Sequence, residues 1–350
     1  MKSLLNFEIE RLKDFDNHRL VVILNDPSCG LKGFISIHRS SDSLPSFGAT
    51  RYWKYKSELA ALTDSLRLSK NMSYKSALAG LKYGGAKAVI LNSTHHNKSK
   101  QLKSYAQRVN SLGGKFVTGA DVGIDDKDLK VLASESDYVV GKKSDPASFT
   151  SHGVLFSIQT CLQQVYGDDR IEGRTFAIQG IGKTGIQLLS LLYIQAKKIY
   201  VSDIDDAKLK YVKKKFPKVH IVNPWEIYKR RVDIFSPCAL GNTINNDNVT
   251  TLRCKIIAGS ANNQLENVGI GRSLQKMDIL YAPDYVVNAG GLIAVVDEYE
   301  HKNFDQNRVE KRIKNIRKTL QIIFDRHKKT KKATNIIANK MAEKIFNNSS

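Results

Sequence analysis

The chain has 350 residues, 41% of them hydrophobic and 25% charged, with 55 Lys/Arg against 34 Asp/Glu and a formal net charge of +21. That length suits two domains, and the balance of apolar and charged residues excludes global disorder. No apolar run reaches the roughly 18 residues of a membrane span, and MKSLLNFEIERLKDFDNH has acids where a secretory leader is apolar, so a cytoplasmic location is expected.

In chain order, FEIERLKDF reads as a helix, and RLVVILND and LKGFISIHR as two strands around the turn PSCG. SSDSLPSFGATRYW reads as a polar loop. KYKSELAALTDSLRLSKNM has apolar residues at helical spacing, and SYKSALAGLKYGGAKAVILN gives a short helix, a glycine turn and a buried strand. A basic spacer, SKQLKSYAQRVNSLGG, leads to the strand KFVTG and then to ADVGIDDKDLKVLA, a loop passing into a helix. A second pattern opens with the long helix SHGVLFSIQTCLQQVYG. Strand, glycine turn, helix and strand follow in RTFAIQGIGKTGIQLLSLLYIQAKKIYVSDID, with further short strands in DIFSPCALG, RCKIIAGSA and DILYAPDYVV. Such alternation predicts a parallel sheet covered by helices on both faces. The expected architecture is α/β in two domains: an N-terminal α/β substrate domain over 1–145 and a doubly wound Rossmann-type domain over 146–310. Basic helices at about 311–350 are expected to pack back on the first domain.

Gly180, Gly182 and Gly185 form a GxGxxG with Lys183 and Thr184, after a predicted strand and before a predicted helix. The first glycine permits the tight turn, the second lets a diphosphate approach the backbone, and the third lets the helix pack against the sheet. The helix N-terminus offers free N–H groups to that diphosphate. Asp203 ends the next strand, 23 residues after Gly180, where a carboxylate accepts from ribose hydroxyls and repels a 2′-phosphate. NAD is therefore expected over NADP, and Asp205 and Asp206 add charge of the same sign. Lys87 follows two glycines and precedes the apolar run AVIL, so burial would lower its pKa and make it a usable base. Asp121 interrupts the end of a strand in TGADVG, a position at which open sheets bind ligands.

Cys29, Cys161, Cys238 and Cys254 are scattered with no CxxC, and no HExxH occurs. Neither a zinc ribbon nor a disulfide scaffold fits, and no metal is expected. His95 and His96 lie in the polar run NSTHHNKSK and read as a solvated loop.

The runs PSFGATRYW, MSYKSALAGLKYGGAK, TGADVG, TSHGVLFSI, GRTFAIQGIGKTG, DIFSPCALG, IIAGSANNQL and YAPDYVVNAGG follow one another across about residues 20–300. Together they resemble the Glu/Leu/Phe/Val amino acid dehydrogenase family, most closely its leucine/phenylalanine branch. The resemblance implies reversible NAD(P)-dependent oxidative deamination of an L-amino acid to a 2-oxo acid and ammonia. By resemblance, Lys75 pairs with the substrate carboxylate, Lys87 is the catalytic lysine and Asp121 its partner. Asn263, with Asn262 beside it, stands near nicotinamide and substrate; Asn288 helps hold substrate; Thr150 contacts the cofactor; Gly48 lies in the substrate-side loop. Phe47, Gly119, Leu292 and Val295 resemble pocket-lining positions. The Gly119/Leu292 combination resembles the phenylalanine branch, with leucine, valine or tryptophan as alternatives. The sequence departs from the family at Ala49 and Ala86, where glycine is common, at Ala120, an acidic position, and at His152, often tyrosine.

The family also implies a homo-oligomer. A remote alternative, a nucleic-acid or regulatory binder, rests only on the +21 charge. No nucleic-acid-binding motif supports it, and 301–350 alone carries 14 Lys/Arg against 4 Asp/Glu, away from the assigned chemistry.

Overall fold

A computed structural model of the chain describes residues 9–347 apart from 13, 42, 93–95, 240 and 302. The expected N-terminal helix falls partly outside these residues; within them only a short 3-10 turn, Ile9–Arg11, is formed. His95 also lies outside them.

The first unit takes the chain up to Ser144, together with Glu298–Phe304 and the end from Ile345. Its sheet begins with the antiparallel pair β1 (Leu20–Asp26) and β2 (Leu31–Arg39). The segment read as a polar loop holds two short strands, β3 (Ser46–Phe47) and β4 (Thr50–Trp53). Both run parallel to β5 (Gly84–Leu91), which pairs antiparallel with β2. Between them α1 (Glu58–Leu78) starts at Ser57, whose hydroxyl accepts from the N–H of Ala60. It runs through the segment read as a separate short helix and stops before Gly80, at φ +69°. The glycines before Lys87 are strand residues rather than a turn. A β-carbon at Gly85 would run into the backbone of Ser73, so the glycine lets α1 lie close on β5.

The segment read as a basic spacer is α2 (Lys98–Ser111), with Leu102, Tyr105, Ala106 and Val109 buried. It is followed by β6 (Phe116–Val117) and α3 (Asp126–Glu135). Alternation across the pleat divides the side chains. Ile35, Ile37, Ala86, Ala88 and Ile90 join the core built with α2 and α3, while Phe34 and Val89 face α1 with Ala61, Leu62 and Leu66. Lys87 therefore points to the α1 face.

The second unit spans Asp145–Asp297 and Asp305–Lys344. It opens with α4 (Pro146–Tyr166), N-capped by Asp145 and closed by Gly167 at φ +80°. Then come β7 (Thr175–Gln179), α5 (Lys183–Leu192), β8 (Lys198–Ser202), α6 (Asp206–Lys215), β9 (His220–Ile221), β10 (Ile234–Pro237), β11 (Ile256–Ile257), α7 (Val268–Lys276) and β12 (Leu280–Tyr281). After these follow α8 (Asp284–Val287), α9 (Gly290–Glu300), α10 (Gln306–Ile313), α11 (Asn315–Thr330) and α12 (Thr334–Asn347). The six strands are all parallel, in the order β12-β11-β10-β7-β8-β9. This is a Rossmann sheet, and its order reverses between β7 and β10, the point at which such sheets bind ligands.

The C-terminal helices differ from expectation. Residues 305–344 belong to the second unit because α11 buries Ile316, Leu320, Ile323 and Phe324 against α4 and α8. Only the residues from Ile345 belong with the first unit.

The first unit is thus discontinuous in sequence, and one carboxylate ties its pieces. Glu298 accepts from the backbone N–H groups of Gly141, Lys142, Lys143 and Ser144, at 3.0–3.2 Å, and from the Ser144 hydroxyl. Among the described residues, no helix is long and apolar enough to cross a membrane, and no cluster of His, Cys, Asp or Glu could hold a metal ion. All four cysteines are free thiols.

Candidate active site

In the first unit, Lys87 and Asp121 form an ion pair, Nζ to Oδ2 at 2.8 Å, with Lys87 only 5% exposed. Lys87 is placed by the β5 pleat, opposite Ser36 on β2. Asp121 is placed just beyond β6, where its N–H donates to the Thr50 carbonyl. A third group completes the arrangement. Arg51 on β4 pairs in register with Val89, which puts its side chain on the same face as Lys87. Its Nε donates to Asp121 Oδ2 at 2.8 Å, and its Nη1 donates to Asp64 Oδ2 on α1 at 3.0 Å. Asp64 also accepts from the Tyr55 hydroxyl at 2.7 Å and from Arg67 at 2.7 Å. Both ionic bonds to Asp121 end on Oδ2, which leaves Oδ1 for an external donor.

Burial pushes the Lys87 ammonium below the usual lysine range; Asp121 opposes this, and Arg51 adds to it. Burial alone would raise the Asp121 carboxyl, but Lys87 and Arg51 outweigh it and hold Asp121 well below the usual carboxylate range. The site therefore holds a carboxylate whose ionised form is favoured beside a lysine whose charged form burial disfavours. Lys75 is buried in the last turn of α1, the helix covering this face.

The remaining first-unit candidates are placed differently. Phe47 is fully covered, packed edge-on against Tyr83 at 4.8 Å and Tyr299 at 5.2 Å between ring centroids. Gly48 has no room for a β-carbon, which would meet the Ala86 carbonyl; its smallness serves strand packing. At Gly119 a β-carbon would come 3.2 Å from the Val140 carbonyl oxygen, tight but not blocked.

In the second unit, the glycine turn sits at the end of β7. Gly180 is at φ +91°, a conformation L side chains rarely adopt, and a β-carbon there would also meet Ala239. Gly182 is the N-cap of α5, makes no side-chain cap bond and has open space where a β-carbon would be. A β-carbon at Gly185 would strike the Gly180 carbonyl, so this glycine sets the closeness of α5 to the turn. An uncapped helix start facing open space fits a dinucleotide diphosphate. Lys183 and Thr184 are the first two residues of α5.

Asp203 accepts from the N–H of Ile181 at 2.6 Å and of Asp205 at 3.0 Å, which orients it at the turn; two oxygens with about four lone pairs leave capacity for ribose hydroxyls. Asp205 is the N-cap of α6, its side chain accepting from the N–H groups of Ala207 and Lys208.

Asn262, Asn263 and Asn288 meet after β11. The Asn288 Nδ2 donates to the Asn262 Oδ1 at 2.9 Å and to the Ser260 carbonyl at 3.1 Å. Its Oδ1, and that of Asn263, are buried acceptors with no hydrogen-bond partner. Such groups carry a desolvation cost unless a donor arrives. Asn263 sits at φ +53°, held by its N–H donating to Asp284 at 2.6 Å. Thr150 lies inside α4; its hydroxyl donates to the Pro146 carbonyl and accepts from the N–H of Gly291, so it joins α4 to α9. Leu292 and Val295 stand three residues apart on α9, buried and half-buried.

Residues 141–345 match the family model for glutamate/leucine/phenylalanine/valine dehydrogenase, and residues 18–139 match that for the Glu/Leu/Phe/Val dehydrogenase dimerisation domain. The chain belongs to the Glu/Leu/Phe/Val dehydrogenase family. Among similar members, an L-tryptophan dehydrogenase of Nostoc punctiforme is 41% identical over 336 residues, covering 95% of this chain and 94% of that protein. A leucine dehydrogenase of Bacillus cereus is 37% identical over 341 residues, covering 95% and 92%. The crystal structure of L-tryptophan dehydrogenase from Nostoc punctiforme superposes with a TM-score of 0.79 at 40% identity, covering 95% and 96%. Like its relatives, this dehydrogenase is an oxidoreductase acting on CH–NH2 donors.

Sequence reasoning named both members of the Lys87–Asp121 pair of this dehydrogenase but missed Arg51, Asp64 and Asp284. Arg51 stands in a quoted motif, yet nothing local shows that it bridges two carboxylates far apart in the chain.

Proposed function

We propose that this dehydrogenase catalyses the reversible, NAD-dependent oxidative deamination of a large apolar L-amino acid, tryptophan before leucine, to its 2-oxo acid and ammonia. The observation that carries the chemistry is the buried Lys87–Asp121 pair, with one carboxylate oxygen unclaimed. Lys75 pairs with the substrate carboxylate. Asp121 Oδ1 takes a proton from the substrate amino group and returns one to the departing ammonia. Lys87 helps water add at the α-carbon and stabilises the oxygen charge that develops there. The chemistry that NAD would supply when bound is acceptance of the hydride released from the substrate α-carbon. Gly180, Gly182 and Gly185, with Lys183 and Thr184, would hold its diphosphate, Asp203 would accept from its ribose hydroxyls, and Thr150 is a further candidate contact. Asn262, Asn263 and Asn288 form the amide cluster that receives donors of cofactor and substrate. NAD is preferred because the Asp203 carboxylate would repel a 2′-phosphate.

The substrate reading revises the phenylalanine expectation. The similar enzymes named above act on tryptophan and leucine, which supports the alternative. In the first unit Gly119 keeps side-chain volume out of its position, and in the second unit Leu292 and Val295 are candidate apolar contacts for the substrate by their resemblance to family positions. A hydrophobic pocket discriminates by only about 1–3 kcal/mol per methylene, so overlapping activities are expected. Self-association is also proposed, because the part of the chain that carries β1 to α3 matches a dimerisation domain.

The test is a panel of Trp, Leu, Phe, Val and Glu with NAD and with NADP, read by nicotinamide absorbance. Tryptophan should give the highest kcat/KM with NAD. Phenylalanine exceeding both tryptophan and leucine would overturn the substrate reading. In the same assay Lys87→Ala should lower turnover by about 10²–10⁴-fold and leave NAD binding intact; unchanged turnover would remove Lys87 from the mechanism.

A further inference from the structure

The assigned pair extends into a longer, largely buried polar chain, Asp64–Arg51–Asp121–Lys87. It draws on four separate pieces: α1, β4, the segment after β6, and β5. Arg51 uses Nε for one carboxylate and Nη1 for the other, a two-armed geometry that a lysine ammonium cannot reproduce. The guanidinium is itself held, since Asp64 is fixed by the Tyr55 hydroxyl and by Arg67. Arg51, Asp64 and Asp121 are each more than four-fifths covered, so the bonds are little screened by solvent.

We propose that Arg51 is the positioning residue of the catalytic pair: it pins Oδ2 of Asp121 against Lys87, so that Oδ1 alone exchanges protons with the substrate, and its charge sets the pH at which Lys87 becomes a base. The proposal rests on the reading of Lys87 and Asp121 given above. The groups facing Lys87 fix the signs. Asp121 and Asp64 favour its charged form, while Arg51 and burial disfavour it. Tyr55 and Arg67 act through Asp64.

Two variants therefore push in opposite directions. Arg51→Met removes a positive charge, so the ascending limb of the kcat/KM–pH profile should move to higher pH by about half to one unit. Its kcat should fall on the order of 10²-fold, because a misplaced catalytic group costs that much, with KM changed less. Asp64→Asn removes a negative charge, so the limb should move to lower pH, with a smaller loss of kcat. Arg51→Lys should bring the limb back toward the wild-type position while kcat stays low. General structural damage lowers activity without opposite shifts of the limb.

The second readout needs no turnover. The pH dependence of Lys87 acetylation by acetic anhydride, followed by peptide mass mapping, should shift in the same two directions. If the wild type turns over no amino acid but the labelling shifts appear, the proposed function and the catalytic positioning fail together, and only the control of the Lys87 charge by Arg51 survives. If both variants fold and neither the limb nor the labelling moves, the role of Arg51 is overturned. Should Arg51→Met not fold, Asp64→Asn decides alone, by a limb that moves down or does not.

Discussion

Burial acts on two basic side chains of the first unit to different ends. At Lys87 it lowers the pKa of a group that faces a partner anion. At His38, on the same α1 face of β2, it serves the fold. The His38 ring is fully covered; Nε2 lies 2.9 Å from Asp16 Oδ2, and Nδ1 is a buried atom with no partner. Burial pushes its pKa down from the ordinary 6.5 to about 3, Asp16 opposes this, and Arg39 and His18 add to it. Lys70 lies against Asp16 at 3.1 Å. The sign follows from linkage. Between pH 6.5 and 3 the unfolded chain binds a proton at this position that the folded chain does not, so stability is fully present above 6.5 and declines as pH falls. Wild-type thermal midpoints should drop between pH 7.5 and pH 5. His38→Gln should start lower at pH 7.5 and show a shallower drop. Equal slopes for the two proteins would show that His38 is not the titrating group.

At the scale of elements, glycines decide how closely helix meets strand. Gly185 is the clearest case, because its α-hydrogen points at the Gly180 carbonyl. Gly185→Ala should push α5 off the turn, costing about 1–3 kcal/mol of stability and weakening NAD binding at least about tenfold, measured by thermal melts and by titration. A variant that binds NAD like wild type would show that the turn relaxes freely. These roles were legible in the sequence because strand, glycines and helix are contiguous there. The elements that went unread fail for a common reason. α2 presents its apolar residues at helical spacing, but basic and uncharged polar residues together outnumber them in the segment. β3 and β4 are two and four residues long, too short to show alternation, and exist through pairing with β5 and β6. In the candidate site, residues inside contiguous motifs could be named, whereas the Arg51–Asp64 and Asn263–Asp284 bonds depend on tertiary placement that no local pattern encodes.

At the scale of the whole molecule, the +21 charge lies largely on solvated helices. Arg272, Lys331, Lys332 and Lys340 line one surface cavity, and no acidic side chain joins them there. Excess charge of one sign destabilises a compact state through self-repulsion, and salt screens it. Raising ionic strength from about 0.02 to 0.15 M should increase the thermal midpoint by a few degrees; a flat or falling response would mean that local ion pairs outweigh the net charge. The bonds around Glu298 carry a different consequence, one of timing. The four amides at 141–144 emerge from the ribosome long before the carboxylate that receives them, about 155 residues later. Domains generally fold as units in order of synthesis, but here the first unit cannot complete itself until most of the second has been made. A nascent chain halted before Glu298 would hold the sheet of the first unit with its closing bonds unmade, so its last step of assembly belongs to the end of translation rather than to the middle.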